Sequence, residues 1–243
     1  MQGPRYFAAS DIVAGVPVEL NPDDARHAST VLRCRVGEAL ILIAEGVAWD
    51  AEFASVDGHR VSVVARQPSV LQSGELPAKV TILQALTKGA KFDEVVEKTV
   101  ELGAVRIVPV IFSRSETAGS ANKVERWRRI ARAAAMQSRR RVIPSVDEPI
   151  TWSHACSSFP ASSLTLLADE NADRAMLGPA LERYIAGTPI VIAVGPEGGL
   201  TTEDVERATV RGATPVSLGP TILRTETAAA ALLAAVASGL GWW

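Results

Sequence analysis

The stretch Val191-Ile192-Ala193-Val194-Gly195-Pro196-Glu197-Gly198-Gly199-Leu200-Thr201-Thr202-Glu203 constrains this chain more than any other. Its apolar, β-branched start reads as a buried strand. The Gly-Pro-Glu-Gly-Gly segment then forces a turn, and Thr201 to Asp204 supply the capping hydroxyls and early acids of a helix. In α/β proteins, small ligands are held where a strand passes through a glycine turn into a helix, because backbone N–H groups are open there and no side chain blocks approach. A second turn of the same character runs from Leu218 to Thr227. Gly219 and Pro220 make its bend, Ile222 and Leu223 offer an apolar wall, and Thr225-Glu226-Thr227 opens a helix. Each turn alone is equally explained as a tight strand–helix connection, where glycines serve steric ends. Two of them after successive strands, both with an acid at the following helix, point to one shared pocket. The first is not a Walker loop, since no Lys-Ser/Thr follows, and it lacks the GxGxxG spacing. Glu197 inside the turn disfavours a phosphate and suits a cationic or hydroxyl-bearing ligand, such as a sulfonium centre or a ribose.

The rest of the chain divides near residue 72. Residues 1–72 read as a small β-rich domain, a barrel, with strands at Arg5-Tyr6-Phe7, Ala39–Ala44, Val47–Val56 and Arg60–Ala65. Asn21-Pro22-Asp23-Asp24 caps a helix that carries His27, Val31 and Leu32 at helical spacing and ends at Arg33 and Arg35. Pro68 to Pro77 reads as a linker. Residues 73–243 alternate between strand and helix patterns, as an α/β domain does. Strands are expected at Val80–Ala85, Arg106–Phe112, Leu164–Ala168 and Thr214–Leu218. Helices are expected through Phe92–Val100, from an Asn122 cap to about Ser138, over Met176–Ile185, from Thr202 to about Arg211, and from Thr225 to Gly239. The last is apolar nearly all round, so it is buried in the core or against a second copy of the chain.

The formal net charge of -2 excludes a global basic signature. Charge is nonetheless segregated. Lys123, Arg126, Arg128, Arg129 and Arg132 lie along one helix, Arg139-Arg140-Arg141 follows, and only Glu125 opposes them locally. Such a run is the footprint of a nucleic-acid backbone, with a solvated surface helix as the plainer alternative. Lys88 and Lys91 sit between a strand and a helix, placed to meet phosphate, while Glu94 and Lys98 have the spacing of an ordinary i,i+4 pair. Cys34 and Cys156 are far apart, and His27, His59 and His154 lack ligand spacing, so no metal and no disulfide framework is expected. The N-terminus lacks a signal-peptide core, and the apolar stretch Ala228–Val236 is too short to span a bilayer. A soluble cytoplasmic protein is expected.

Taken together, these residues resemble the RsmE family of SPOUT methyltransferases, which modify N3 of a uridine in small-subunit (16S) ribosomal RNA. The resemblance runs the length of the chain. It includes Arg5-Tyr6-Phe7, His27 with Val31-Leu32-Arg33, Lys88-Gly89-Ala90-Lys91 with Glu94 and Lys98, and Glu101-Leu102-Gly103. It continues in Gln137-Ser138-Arg139 with Pro144, in Gly195-Pro196-Glu197-Gly198-Gly199 with Glu203, and in Leu218-Gly219 with Ile222 to Ala228. Arg140 departs from the pattern, where smaller residues are usual. The resemblance implies a PUA-like RNA-binding β-barrel over 1–72. It also implies an α/β SPOUT domain over 73–243 with a deep trefoil knot, binding S-adenosyl-L-methionine, and a homodimer with each site near the subunit interface. It implies cofactor contacts at Leu167, Gly195, Pro196, Gly198, Gly199, Leu218, Gly219, Ile222, Leu223 and Thr227, and catalytic roles for Glu197, Arg224 and Glu226. RNA contacts are implied for Arg5, His27, Arg33, Lys88, Lys91, Arg114, Arg132, Arg139 and Arg140. Another SPOUT enzyme, acting on transfer RNA ribose or a different base, and a non-catalytic RNA-binding protein are the competing readings.

Overall fold

The computed structural model describes residues 3–8, 11–115 and 121–243. They form two compact units, one reaching to Glu75 and including Met136–Val142, the other comprising Leu76–Ala135 and Ile143–Trp243.

The first unit is built on a five-stranded sheet. Its strands are β1 (Arg5–Phe7), β2 (Pro17–Glu19), β3 (Ala39–Ala44), β4 (Val47–Asp57) and β5 (Arg60–Pro68), in the order β1-β3-β4-β5-β2. β1 runs parallel to β3, and the other pairs are antiparallel. Glu45 and Gly46 both have positive φ, the geometry a two-residue hairpin needs to match strand twist. Period-two alternation turns Tyr6, Leu40, Leu42, Phe53, Val61 and Val63 into one core. Helix α1 (Pro22–Arg26) is capped as expected, with the Asn21 side chain accepting the Asp24 N–H at 2.9 Å. The winding then changes to a π-turn over His27–Val31, and Arg33 at φ 54° ends it. The apolar face expected through Val31 and Leu32 is therefore not buried, since the wider turn rotates both off the 3.6-residue period; Val31 is 66% exposed.

Arg140, expected among the RNA contacts, lies inside the unit. It is 3% exposed, and its Nε and Nη2 both donate to the carboxylate of Glu75. The same carboxylate accepts the N–H of Arg141 at 2.7 Å and of Val142 at 3.2 Å. Arg140 fastens the linker's end to the 136–142 segment and is turned away from solvent.

The second unit carries β6 (Val80–Ala85), α2 (Lys91–Glu101), β7 (Arg106–Ile111), α3 (Ala121–Gln137, which runs on into the first unit), β8 (Ser145–Val146) and β9 (Ile150–Thr151). These are followed by α4 (Trp152–Ser157), β10 (Leu164–Ala168), α5 (Leu177–Glu182), β11 (Ile190–Val194), α6 (Thr202–Thr209), β12 (Thr214–Val216) and α7 (Thr225–Gly239). The strands form one parallel sheet in the order β12-β10-β11-β6-β7-β8, with β9 also on β7. Such a sheet is covered on both faces, which is why β11 is apolar and buried throughout. After β11 the chain passes beyond β10 to the edge strand β12, and α7 then returns to pack on α2 and the middle strands. The loops after β10, β11 and β12 consequently gather along one edge of the sheet.

Three local expectations change. The helix expected over Met176–Ile185 is a short 3₁₀ turn followed by α5, ending at Glu182. α3 starts at Ala121, so Asn122 lies inside its first turn and not before it. Lys98 pairs with Glu97 and Glu101 instead of Glu94. The basic run on α3 is also opposed from outside the helix. Asp93 of α2 takes both Arg126 and the Trp127 indole N–H, and Arg128 reaches Glu148 and the carbonyl of Val146.

Among the described residues no helix is long and apolar enough to cross a membrane, and no three potential ligands group around a metal position. Both cysteines are buried and unbridged, and burial pushes the Cys156 thiol up to about 11.

Removing one member of a buried ion pair strands the other. Arg140→Met is expected to lower the unfolding free energy by about 3 kcal/mol in a urea titration. Adding Glu75→Leu recovers part of that loss but not all, because the N–H groups of Arg141 and Val142 then lack their acceptor. A cost below about 0.5 kcal/mol for Arg140→Met, the level of an ordinary surface substitution, would show that the pair does not hold this segment.

Candidate active site

A cavity of about 320 Å³ opens at the edge where the β10, β11 and β12 loops meet. That volume lies in the range of small-molecule sites. Its wall is made by Ala168–Glu170 after β10, by the glycine turn after β11, by the segment from Val216 into the first turns of α7, and by Lys91 at the start of α2.

The glycine turn has the residues its geometry requires. A Cβ on Gly195 would stand 2.7 Å from the Leu200 side chain, which folds over it. Gly199 has φ 73°, and its N–H donates to the Pro196 carbonyl at 2.9 Å, closing a tight turn. A reciprocal capping box then starts α6: Thr201 Oγ1 accepts the Asp204 N–H at 3.1 Å, and the Asp204 carboxylate accepts the Thr201 N–H at 3.0 Å. From the outer side, Arg114 Nη1 donates to the Gly198 carbonyl at 2.9 Å.

One buried hydroxyl joins the two turns. Thr225 Oγ1 donates to the Gly195 carbonyl at 2.6 Å. A hydroxyl has a single proton, so the 2.9 Å bond to Gln84 Nε2 must be donated by Gln84. This fixes the Gln84 amide, whose Oε1 is buried with no partner among the described residues. Gln84 stands in β6 opposite Val194 of β11, so the relay runs from the middle of the sheet into both loops. The Asp169 N–H donates to the Val216 carbonyl at 3.0 Å, which ties the β10 loop to the β12 loop.

The charged groups differ in their surroundings. Glu197 Oε1 lies 3.2 Å from Lys91 Nζ, with both side chains about 40% exposed, a solvent-screened pair at the cavity mouth. Glu226, in the first turn of α7, has one carboxylate oxygen buried without a partner among the described residues. Arg224, the residue preceding α7, is exposed and makes no capping bond with its side chain.

The structure brings Gly195, Pro196, Gly199, Leu218, Ile222, Leu223, Glu197, Arg224 and Glu226 into one wall. Leu167 is placed differently: it is fully buried in the sheet core, and its neighbour Ala168 is the last residue of β10 and faces the cavity. Gly198, Gly219 and Thr227 sit beside the wall and not in it. Sequence reasoning missed Asp169, Glu170, Ser217 and Thr221. The signal for the first two was an apolar strand running straight into Asp169-Glu170-Asn171, a turn with no glycine to mark it. Of the residues expected at RNA, Lys91 and Arg114 are fastened to the glycine turn. Lys88 is exposed just before α2, and Arg132 is half-buried on α3. In the first unit His27 Nδ1 lies 3.4 Å from the Tyr6 hydroxyl, Arg33 is exposed, and Arg5 Nη1 donates to the Arg139 carbonyl at 2.7 Å.

Comparison with known proteins agrees with this architecture. Residues 74–237 match the model of an RNA methyltransferase domain, and residues 20–65 match that of an RNA methyltransferase PUA domain. The ribosomal RNA small subunit methyltransferase E of Synechocystis is 33% identical, over 96% of this chain and 76% of its own length. The Bacillus subtilis protein of that name is 31% identical, over 96% and 95%. A crystal structure of the Neisseria gonorrhoeae protein of the same name, bound to S-adenosyl methionine, superposes with a TM-score of 0.88 at 31% identity, covering 98% of each chain. By sequence along nearly its whole length and by fold in both units, the chain belongs to the RNA methyltransferases of the ribosomal RNA small subunit methyltransferase E family.

Proposed function

We propose that this chain transfers the methyl group of S-adenosylmethionine to N3 of one uridine in the 16S ribosomal RNA of the small subunit. The observation that carries this reading is the cavity between two turns locked together by Thr225, with the unpartnered oxygen of Glu226 in its wall. The donor set fits the cofactor. Backbone groups at Gly195, Pro196, Gly199, Leu218 and Leu223 approach without obstruction, Gly198 and Gly219 relax the backbone beside them, and Ile222 supplies apolar surface. When bound, S-adenosylmethionine supplies a methyl group activated by its sulfonium.

Uracil N3 carries a proton at neutral pH, so the site needs an acceptor. Glu226 is the better placed of the two glutamates, because its buried oxygen lacks a donor among the described residues whereas Glu197 already faces Lys91. Arg224, exposed at the start of α7, steadies the charge that develops on the uracil oxygen, a preorganised electrostatic role. Glu197 offers negative charge at the mouth, where it favours a cationic ligand.

In this reading residues 1–72, with 136–142, are the PUA-like RNA-binding domain, and the remaining residues to 243 are the SPOUT domain. The return of α7 from the sheet edge to its middle is the threading of a trefoil knot. His27, Arg33, Lys88 and Arg132 contact RNA. The half-exposed alanines Ala230, Ala231, Ala234 and Ala235 of α7 pack against a second copy in a homodimer. The reaction takes place in the cytoplasm with the ribosomal subunit.

The test is methyl transfer from labelled S-adenosylmethionine to small subunits lacking N3-methyluridine, with naked RNA alongside. Label on a single uridine at N3 is expected; label on transfer RNA ribose or on another base would overturn the assignment. Glu226→Gln is expected to lower kcat by about 10²-fold or more, the contribution of a general base, while Glu197→Gln lowers it less than tenfold. The reverse order would make Glu197 the acceptor. Thr225→Val removes the bond to the Gly195 carbonyl and the one donated by Gln84, and is expected to weaken cofactor binding about tenfold by calorimetry. Thr225→Ser, which keeps the hydroxyl, should bind as the wild type does.

A further inference from the structure

We propose that Arg114 is a positioning residue of the cofactor site: it fixes the orientation of the Gly198–Gly199 peptide, and through it the affinity for S-adenosylmethionine. This rests on reading the chain as an S-adenosylmethionine-dependent methyltransferase. A peptide unit between two glycines is the least constrained part of the turn, because with no Cβ on either side sterics leave several orientations open to it. Here both ends of the unit are held. Its N–H, on Gly199, donates to the Pro196 carbonyl at 2.9 Å. Its carbonyl, on Gly198, accepts from Arg114 Nη1 at 2.9 Å. The first bond lies within the turn, and the second comes from a loop 84 residues earlier in the chain. The second is charge-assisted, and such bonds are stronger than those between neutral groups. A rotated peptide would lose both.

The loop that carries Arg114 is itself closed. The Ser115 N–H donates to the Phe112 carbonyl at 3.0 Å, and Ser115 Oγ accepts the Phe112 N–H at 2.9 Å. Phe112 is buried and stacks on Trp152, whose indole N–H donates to the Asp204 carbonyl at 3.0 Å. Ser113 Oγ donates to the Asp204 carboxylate at 3.4 Å, the acceptor in the capping box of α6. One short loop therefore grips the start of α6 through Ser113 and the glycine turn through Arg114. The stem of Arg114 lies along the same peptide: a Cβ on Gly198 would stand 3.4 Å from Arg114 Cβ and 3.7 Å from its Cδ.

Two other roles for Arg114 predict different behaviour. S-adenosylmethionine carries a net positive charge at neutral pH, so an arginine near its site repels it, and by charge alone removing that arginine would tighten binding. A phosphate contact would leave cofactor binding alone and make RNA binding less dependent on salt. Fixing the peptide does neither. It keeps the unliganded turn in the shape the ligand needs, which spares the ligand the cost of ordering it.

The test is calorimetric binding of S-adenosylmethionine, and of its electrically neutral demethylated product S-adenosylhomocysteine, to the full chain as wild type, Arg114→Met and Arg114→Lys. Arg114→Met keeps an apolar stem against Gly198 and removes the donors. It is expected to bind both ligands about tenfold more weakly, the loss of one charge-assisted hydrogen bond, because a backbone orientation serves both alike. Arg114→Lys, which keeps a charged donor, should recover part of that loss. Amide hydrogen exchange on the unliganded protein gives a second readout: the Gly199 N–H should exchange several-fold faster in Arg114→Met, with the amides of β11 unchanged. Tighter binding of S-adenosylmethionine, with S-adenosylhomocysteine unaffected, would mean that Arg114 acts by charge and would overturn the proposal. So would unaltered cofactor binding together with a slope of log K against log salt, for a single-stranded oligoribonucleotide, shallower by about 0.7, the value of one phosphate contact. Faster exchange throughout β11 would mean a general loosening of the fold and would overturn it too. A wild type that binds neither ligand refutes the methyltransferase reading and the proposal together. A wild type that binds, beside an Arg114→Met that binds equally well, refutes the proposal alone.

Discussion

The hydroxyl of Thr225 joins two loops that the chain keeps 30 residues apart. Parallel strands deliver their loops to one edge of a sheet, but nothing in strand pairing fixes those loops against each other. A single proton given to the Gly195 carbonyl does so here. It also imposes a direction on everything behind it, since a hydroxyl that donates forward must accept from the rear. That explains a glutamine at a fully buried position of β6, beside the wholly apolar β11. The partnerless Gln84 Oε1 is the cost, roughly 1–3 kcal/mol for an unsatisfied buried acceptor. A valine of the same shape at Thr225 would fill the space and leave both turns unlinked.

Charge in this protein is organised by tertiary contact more than by local sequence. The basic run on α3 looks unopposed when only its own helix is considered. Its acids lie elsewhere, Asp93 on α2 and Glu148 between β8 and β9, and they take Arg126 and Arg128. Arg140, in the middle of three consecutive arginines, is the buried one. On either side of it Arg139 is exposed and Arg141 half-buried. A run of like charges thus divides into paired, buried and open members according to which carboxylate the fold brings near.

The same distinction separates what was legible in the sequence from what was not. Gly195 and Gly199 could be read directly, because a side chain at either would meet Leu200 or a left-handed backbone. The Asn21 and Thr201 caps were legible for a similar local reason. The β10 loop was not, since Asp169 and Glu170 make their turn through an Asp169 side-chain bond to the Asn171 N–H at 3.0 Å and need no glycine. The helix after Asn21 was misread past Arg26 because periodicity assumes 3.6 residues per turn, which a π-turn violates. The two-residue strands β8 and β9 are too short to show any period. The crossing from β11 past β10 to β12 is not given by residue pattern, since periodicity and burial mark a strand but not which strand it pairs with.

Two glutamates face one cavity, and their environments differ. Glu197 stands at the mouth with its charge partly met by Lys91 and by water, so a ligand donor arriving there replaces interactions that already exist. Glu226 has an oxygen withdrawn from water with no partner among the described residues, so a donor arriving there gains nearly the full value of a hydrogen bond in a low dielectric. The residue before Glu226, Thr225, pins that turn to the sheet, so Glu226 is held by the same bond that shapes the cavity. In the proposed mechanism this matters, because a proton removed at a fixed position relative to a bound cofactor calls for a group that cannot move independently of the cavity walls.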